Sequence, residues 1–199
     1  MLEPQNPLDI LWDRLAQVEP REAAARALVA HEADASAFRV PLCGRDYLVF
    51  PRERKVEGQE GVAGFEATLL CVQYLLTARD EPLAGEWVTP KQLPYGEFFF
   101  RPPHDLPTGK LEAAFGSRLE AFRRAGRALG GRALEMGDAA WQFRALPRVP
   151  IAVVLWVADE EFPARARFLF DRRADRQLPI DALWLLTIAV AKALVVAGT

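Results

Sequence analysis

The sequence predicts an α+β fold, in which one domain packs its helices on a mixed or mainly antiparallel sheet and buries its C-terminal helix. A length of 199 residues fits a single domain. Apolar residues make up 51% of the chain and charged residues 26%, which is typical of a globular protein. Helical and strand patterns do not alternate regularly, so a Rossmann-like parallel sheet is not expected.

Residues 1–36 are expected to form an N-terminal helical segment, and residues 37–199 the α/β body. Asn6 can cap a first helix, because its side chain accepts from the helix N-terminus and Pro7 fits the first helical position. Pro20 begins a second helix through about Ala30. Apolar residues then alternate from residue 38 to residue 49 around Gly44, which predicts a β-hairpin.

Two further helices are predicted in the middle of the chain. The first spans Val62 to Ala78, where apolar residues recur at helical spacing. A short extended piece, EWVT, follows it. The second helix runs from Thr108, a possible cap, to about Leu129, where two glycines end it.

The last third of the chain predicts strands followed by a helix. Ala133–Met136 and Trp141–Ala145 are candidate strands around a turn. The uninterrupted apolar run from Ile151 to Val157 indicates a central strand that is buried on both faces. Arg167–Asp171 is a further strand, and Pro179 opens the C-terminal helix.

Charge and cysteine usage exclude several classes of protein. The net charge of −2 provides no overall field that would attract nucleic acid. Cys43 and Cys71 form no CxxC pair, so no metal site is predicted and reduced thiols are expected. The apolar stretch Ile180–Val196 is interrupted by Asp181 and Lys192, which favours a buried helix over a membrane span. Without a signal peptide pattern at its N-terminus, the chain is expected to be cytoplasmic.

The segment LPYGEFFFRPPH, Leu93 to His104, is the first candidate site. Its prolines stiffen the backbone, and its aromatic rings could form one wall of a ligand pocket. The aromatic residues assigned to this wall are Tyr95, Phe98 and Phe100. Arg101 could bind an anionic group, and His104 could titrate near neutral pH. The alternative is a hydrophobic edge and turn that packs into the core.

An acidic cluster at the end of the apolar strand is the second candidate site. Its members are Asp159, Glu160 and Glu161. Residues on loops at strand ends are held by a rigid sheet and often serve function, and Trp156 lies just before this loop. The carboxylates could bind a cation or act as acid and base. The alternative is a solvated hairpin turn with pairing to Arg165 or Arg167.

Common catalytic and nucleotide-binding motifs are absent from the sequence. It contains no GxGxxG after a strand, no P-loop, no HExxH and no GxSxG elbow. Asp138, which follows a glycine, is typical of a turn. The arginines between Lys110 and Leu129 are interpreted as a solvated helix face.

Taken together, LPYGEFFFRPPHDLP and GDAAWQFRALPRVPIAVVLWVADEEFPARARFLFD resemble domain-of-unknown-function family 3786 of anaerobic bacteria and archaea. The similarity covers most of the chain, from about Leu48 to the C-terminal helix. It implies an accessory role in anaerobic metal, corrinoid or tetrapyrrole metabolism, with an iron–sulphur or corrinoid protein as partner. It implies no activity, and the cofactor stays unknown. Because the chain lacks a cysteine cluster, any iron–sulphur centre would belong to that partner.

Three functions remain open at this point. The leading hypothesis is a non-catalytic ligand-binding domain, whose pocket combines the aromatic segment and Trp156 with Asp159–Glu161 at its rim. The second is an enzyme in which His104 works with Asp159 or Glu161 as base, orienter or metal ligand. The third is a protein-interaction module that uses the three phenylalanines, for which Phe99→Ala should weaken partner binding without changing thermal stability.

Overall fold

The computed structural model describes residues 6–199, which form eight α-helices and two five-stranded sheets. The helices are α1 Pro7–Leu15, α2 Pro20–Ala27, α3 Phe65–Thr77, α4 Gly96–Phe99, α5 Thr108–Phe115, α6 Leu119–Ala128, α7 Ala174–Gln177 and α8 Ile180–Gly198. The strands are β1 Ala30–Glu32, β2 Ala37–Leu42, β3 Arg45–Phe50, β4 Lys55–Gly58, β5 Gly61–Val62, β6 Trp87–Val88, β7 Arg132–Leu134, β8 Ala139–Leu146, β9 Val149–Trp156 and β10 Arg165–Asp171. A 3₁₀ turn covers Pro90–Gln92.

Both sheets are antiparallel. The first follows the chain in the order β1-β2-β3-β4-β5, and the second has the order β6-β10-β9-β8-β7. The predicted α+β class is confirmed, although the strands divide between two sheets rather than one. The backbone N–H of Cys43, in the β2–β3 turn, donates to the carbonyl of Ala145 on β8 at 2.8 Å and so joins the two sheets.

Two predicted helices differ in extent from the sequence pattern, one because it ends earlier and one because it divides. The second helix stops at Ala27 rather than Ala30, because Leu28 adopts the left-handed conformation with φ of 52°. The predicted helix from Thr108 divides into α5 and α6. A Cβ at Gly116, between them, would lie 2.4 Å from the Cβ of Ala164, so a glycine is needed for this close approach.

The core lies between one face of the second sheet and the helices. On β9, Ile151, Val153 and Leu155 point into this core together with buried residues of α8. The buried face of α8 repeats at helical spacing through Leu183, Leu186, Val190 and Leu194. The prediction of a buried C-terminal helix is therefore confirmed. By length and composition alone, α8 is also apolar enough to cross a membrane.

A buried polar network fixes α3 against the β8–β9 turn. The hydroxyl of Tyr74 donates to the carbonyl of Ala27 at 2.8 Å and accepts from the backbone N–H of Arg148 at 3.0 Å. The guanidinium of Arg148 donates to the carbonyl of Arg26 at 2.6 Å and pairs with Asp80. Because buried polar groups cost free energy when they lack partners, this network holds the helices in one register.

The face of the second sheet that points away from the main core has its own small apolar cluster. Ala152, Val154 and Trp156 of β9 point to this side and form a separate small cluster with residues of the neighbouring strands. Within residues 6–199, no helix contributes a side chain to that cluster. This side is called the open face below.

Candidate ligand-binding site

The aromatic segment from Tyr95 to Phe100 is not extended. Residues Gly96–Phe99 form the short helix α4, and Tyr95 before it has φ of 62°. A Cβ at Gly96 would lie 2.1 Å from the carbonyl oxygen of Pro90, so the helix packs tightly on the 3₁₀ turn. The helical turn separates the rings, since Tyr95 and Phe98 are 82% and 78% exposed whereas Phe100 is 4% exposed. The three rings therefore do not form a common wall.

The two polar residues of this segment have local partners. The guanidinium of Arg101 pairs with the carboxylate of Glu97 at 3.0 Å and lies over the ring of Phe98, 5.6 Å from its centroid. The imidazole of His104 stacks on Phe99 with centroids 4.3 Å apart and meets the edge of Trp184 on α8 at 5.3 Å. His104 thus packs the segment against α8 as part of an aromatic cluster.

The acidic loop after β9 is built around Asp159. One carboxylate oxygen of Asp159 accepts from the backbone N–H groups of Glu161 at 2.9 Å and Phe162 at 2.7 Å. These two hydrogen bonds stabilise the charged carboxylate and lower the pKa of Asp159 below its ordinary value. Glu160 and Glu161 are exposed.

The aromatic segment and the acidic loop lie at opposite ends of β10. The strand begins at Arg165, beside the acidic loop, and its last residues pair with β6, which leads to the aromatic segment. At about 3.4 Å per residue, its seven residues separate the two segments by about 20 Å.

The helix α5, about 12 Å long, runs between the same two regions in the opposite direction. Its C-terminal end contacts the acidic loop, where the carbonyl of Gly116 accepts from the N–H of Ala158 at 2.8 Å. Its first residue, Thr108, comes four residues after His104 in the chain. His104 and Asp159 are consequently not brought together, and the shared hollow assumed from the sequence is not formed. The binding roles of the individual residues stay predictions.

Part of the predicted set does line one hollow. A cavity of about 410 Å³ lies at the end of β9 and is bounded by Asp138, Trp156, Val157, Asp159, Phe162, Pro163 and Arg165. The ring of Phe162 is 64% exposed at its rim. Of the site residues predicted from the sequence, Trp156 and Asp159 line this hollow, whereas Tyr95, Phe98, Phe100, Arg101 and His104 lie at the far end of β10.

Asp138 also lines the hollow, and its side chain is hydrogen-bonded to the backbone at the end of β9. Its Oδ2 accepts from the backbone N–H of Val157 at 2.8 Å. The sequence interpretation of Asp138 as a turn residue omitted this cross-strand contact. Among residues 6–199, hydrogen bonds engage Oδ2 of Asp138 and Oδ1 of Asp159, which leaves one oxygen of each carboxylate available to a ligand.

The described residues contain no cluster of three or more histidine, cysteine, aspartate or glutamate side chains that could hold a metal ion. Asp138 and Asp159 are the two carboxylates that line the hollow. A ligand in the hollow would therefore meet two aromatic rings, two carboxylates and the guanidinium of Arg165.

A second concave region, which the sequence did not indicate as a site, surrounds the β2–β3 turn. Two cavities of about 240 and 230 Å³ are both lined by Cys43 and by Ala193 of α8. Burial raises the pKa of the Cys43 thiol to about 12. The hairpin itself was predicted, but its position against α8 depends on packing between residues far apart in the chain.

A family model described as "Domain of unknown function (DUF3786)" matches residues 19–193. The chain belongs to that family. The match covers both sheets from β1 to β10 and most of α8. Neither a curated protein nor a solved structure matches the chain. Membership in DUF3786 assigns no activity, so the functional argument rests on the geometry of the site.

Proposed function

We propose that this DUF3786 chain is a non-catalytic ligand-binding accessory domain, and that the hollow at Trp156 binds a planar small molecule that has a carboxylate group. The observation that supports this proposal is that Trp156, Phe162 and Arg165 line one hollow of about 410 Å³. Ligand sites usually combine apolar walls with a few polar groups that fix orientation, and this hollow has that composition.

The side chains of the hollow favour a flat ligand with an acidic substituent. Phe162 and one face of Trp156 offer ring surfaces on which a planar molecule can stack, since the guanidinium of Arg167 lies over the other face of Trp156, 5.5 Å from its centroid. Arg165 lies beside them, directly opposite Trp156 in the β9–β10 register, and its planar guanidinium suits a carboxylate. The free carboxylate oxygens of Asp138 and Asp159 can accept hydrogen bonds from ring N–H or hydroxyl groups.

Binding fits this arrangement better than catalysis. Asp159 has a lowered pKa, so it is ionised at neutral pH and is a poor proton donor. The histidine that sequence reasoning paired with it, His104, lies at the other end of β10 and packs between Phe99 and Trp184. The carboxylates of the hollow hold the loop in place, which is a structural role that a binding site requires.

The metabolic setting belongs to the same proposal. The resemblance to DUF3786 implies anaerobic metal, corrinoid or tetrapyrrole metabolism, with an iron–sulphur or corrinoid protein as partner, and a cytoplasmic location is part of the proposal. Tetrapyrroles with carboxylate substituents belong to the ligand class that the hollow favours, and so do pterin carboxylates. These two sources share a planar ring and an acidic group, and the experiment below separates them.

Anaerobic expression followed by mass spectrometry of released small molecules tests the proposal. Wild-type protein is expected to release a planar acid with an absorption band in the near ultraviolet or visible range, and Trp156→Ala and Arg165→Ala to lose it. Tyr95→Ala removes an exposed ring at the opposite end of β10 and serves as the matched control. Equal loss from Tyr95→Ala, or wild-type protein that neither contains such a molecule nor binds added protoporphyrin IX or pterin-6-carboxylate, would overturn the proposal.

A further inference from the structure

We infer that the open face of the second sheet docks an amphipathic helix of a partner protein that has acidic side chains along both of its borders. The surface adjoins the ligand hollow and shares Trp156 and Arg165 with it, but the inference does not require that the hollow bind anything. It follows from the floor of the face, from its charged borders and from its dimensions.

The floor of the open face is apolar and made of small side chains. Ala140, Ala152, Val154 and Leu169 lie side by side on β8, β9 and β10, and each is at most 8% exposed. In layered folds, an apolar sheet face is usually covered by another layer, and the helices within residues 6–199 pack on the opposite face. Four partly exposed side chains pack over this buried centre and supply the apolar surface that a partner can contact: Trp87, Leu134, Met136 and Trp156.

Arginines border this floor on two sides. Arg165 and Arg167 lie on β10, and Arg132 and Arg144 lie on β7 and β8. The strand register places them on the open face, since Arg167 lies opposite Val154 and Arg144 lies opposite Pro150. All four are exposed, and among residues 6–199 no carboxylate forms an ion pair with any of them. The partner that complements this face is therefore acidic on both sides.

The dimensions of the face fit one helix. Three strand spacings of about 4.8 Å separate β7 from β10, which gives a width of about 14 Å. An α-helix with its side chains is about 10–12 Å across. Along β9, the distance from Trp156 to Pro150 is about 20 Å, so the floor can support about four helical turns.

Two alternative occupants fit the face less well. Strand addition at β10 is obstructed, because the carboxylate of Glu112 on α5 already accepts from the backbone N–H of Ala166 at 2.9 Å. Single-stranded nucleic acid uses successive aromatic platforms, whereas Trp156 and Trp87 lie at opposite ends of an aliphatic floor. An acidic amphipathic helix matches the apolar floor and both basic borders.

Binding of designed peptides tests the inference. The probe is a fluorescent helical peptide of about 18 residues, ~27 Å long, with a leucine and alanine stripe flanked by glutamates. Anisotropy should show saturable binding to the wild-type chain and binding that is about tenfold or more weaker for Arg132→Glu/Arg144→Glu. The same peptide with lysine flanks should show the reverse preference. Arg124→Glu/Arg127→Glu, which changes two exposed arginines on α6, is the matched control.

The outcomes separate this inference from the ligand proposal. Arg132 and Arg144 lie away from the hollow, so their variants should retain the small molecule even if peptide binding is lost. Equal binding of both peptides, no effect of the double charge reversal, or tighter binding of a single-stranded DNA oligonucleotide than of the glutamate peptide would overturn the inference.

Discussion

The carboxylate of Asp159 accepts a hydrogen bond from the backbone N–H of Phe162 at 2.7 Å, and the N–H of Asp159 donates to the carbonyl of Phe162 at 3.0 Å. This reciprocal pair closes the loop after β9 and places both residues on the lining of the hollow. The loop shape therefore depends on a charged carboxylate.

Replacing Asp159 with alanine should loosen residues 157–164 while the sheet stays folded. The pKa of Asp159 is lowered, so its contribution is complete above the ordinary value of 3.8 and is lost as the pH falls through the lower pKa of the folded protein. Hydrogen exchange of the loop should speed up in Asp159→Ala at neutral pH and in wild-type protein only in strong acid. Glu160→Ala is the control, and equal effects of the two changes would contradict this role.

Phe98 and Phe99 should respond differently to truncation. Phe99 stacks on His104 and meets the edge of Phe100 at 5.4 Å, so Phe99→Ala should lower the free energy of unfolding by about 1–2 kcal/mol. Phe98 is 78% exposed, so Phe98→Ala should change stability by less than about 0.5 kcal/mol. Urea denaturation measures both values. The sequence-based expectation that Phe99→Ala leaves stability unchanged requires an exposed ring, and in the structure the more exposed ring is that of Phe98.

Gly126 on α6 should tolerate no side chain. A Cβ at this position would lie 2.2 Å from Cε2 of Trp141, so Gly126→Ala must displace α6 from the sheet. We expect a loss of about 1–3 kcal/mol in urea denaturation, which is typical of an overpacked core. Gly109→Ala on α5 meets nothing within 4 Å and should instead be neutral or slightly stabilising.

The thiols of Cys43 and Cys71 should be unreactive in the native protein at neutral pH. Burial raises the pKa of both thiols, in the case of Cys43 from an ordinary value of 9.0 to about 12. Because the thiolate is the reactive form, labelling by a disulfide reagent should be slow until the chain unfolds. Stability linked to Cys43 should be complete below pH 9.0 and should fall as the pH rises toward about 12. Rapid labelling of the folded chain at pH 7 would contradict this environment.

Local sequence patterns were sufficient to predict most strands of the second sheet. The apolar run at residues 151–157 predicted a central strand, and β9 is buried from Val149 to Leu155. Strands β4 and β5 were not predicted, because glycines and glutamates from Lys55 to Val62 interrupt the alternation on which such a prediction depends. The stretch forms a strand because it pairs with β3, although its own sequence lacks a strand pattern.

The site was only partly predictable. The strand end after Trp156 was identified correctly as the start of a structured loop, since an acid that follows a buried strand can hold the chain by hydrogen bonds to the backbone. The distance between this loop and the aromatic segment is set by the direction of β10 and α5. The pairing of the strands determines this direction. The local sequence of either segment does not show which strands pair.

The most direct test of the proposed function is an equilibrium titration of tryptophan fluorescence with protoporphyrin IX and, separately, with pterin-6-carboxylate. The wild-type chain and Trp87→Phe, which changes a tryptophan on the same face but outside the hollow, should show saturable quenching with one of the two ligands. Trp156→Phe should lose most of the quenching, and Arg165→Ala should weaken binding about tenfold. Identical titrations for wild-type protein and Trp156→Phe would show that the hollow is not where the ligand binds.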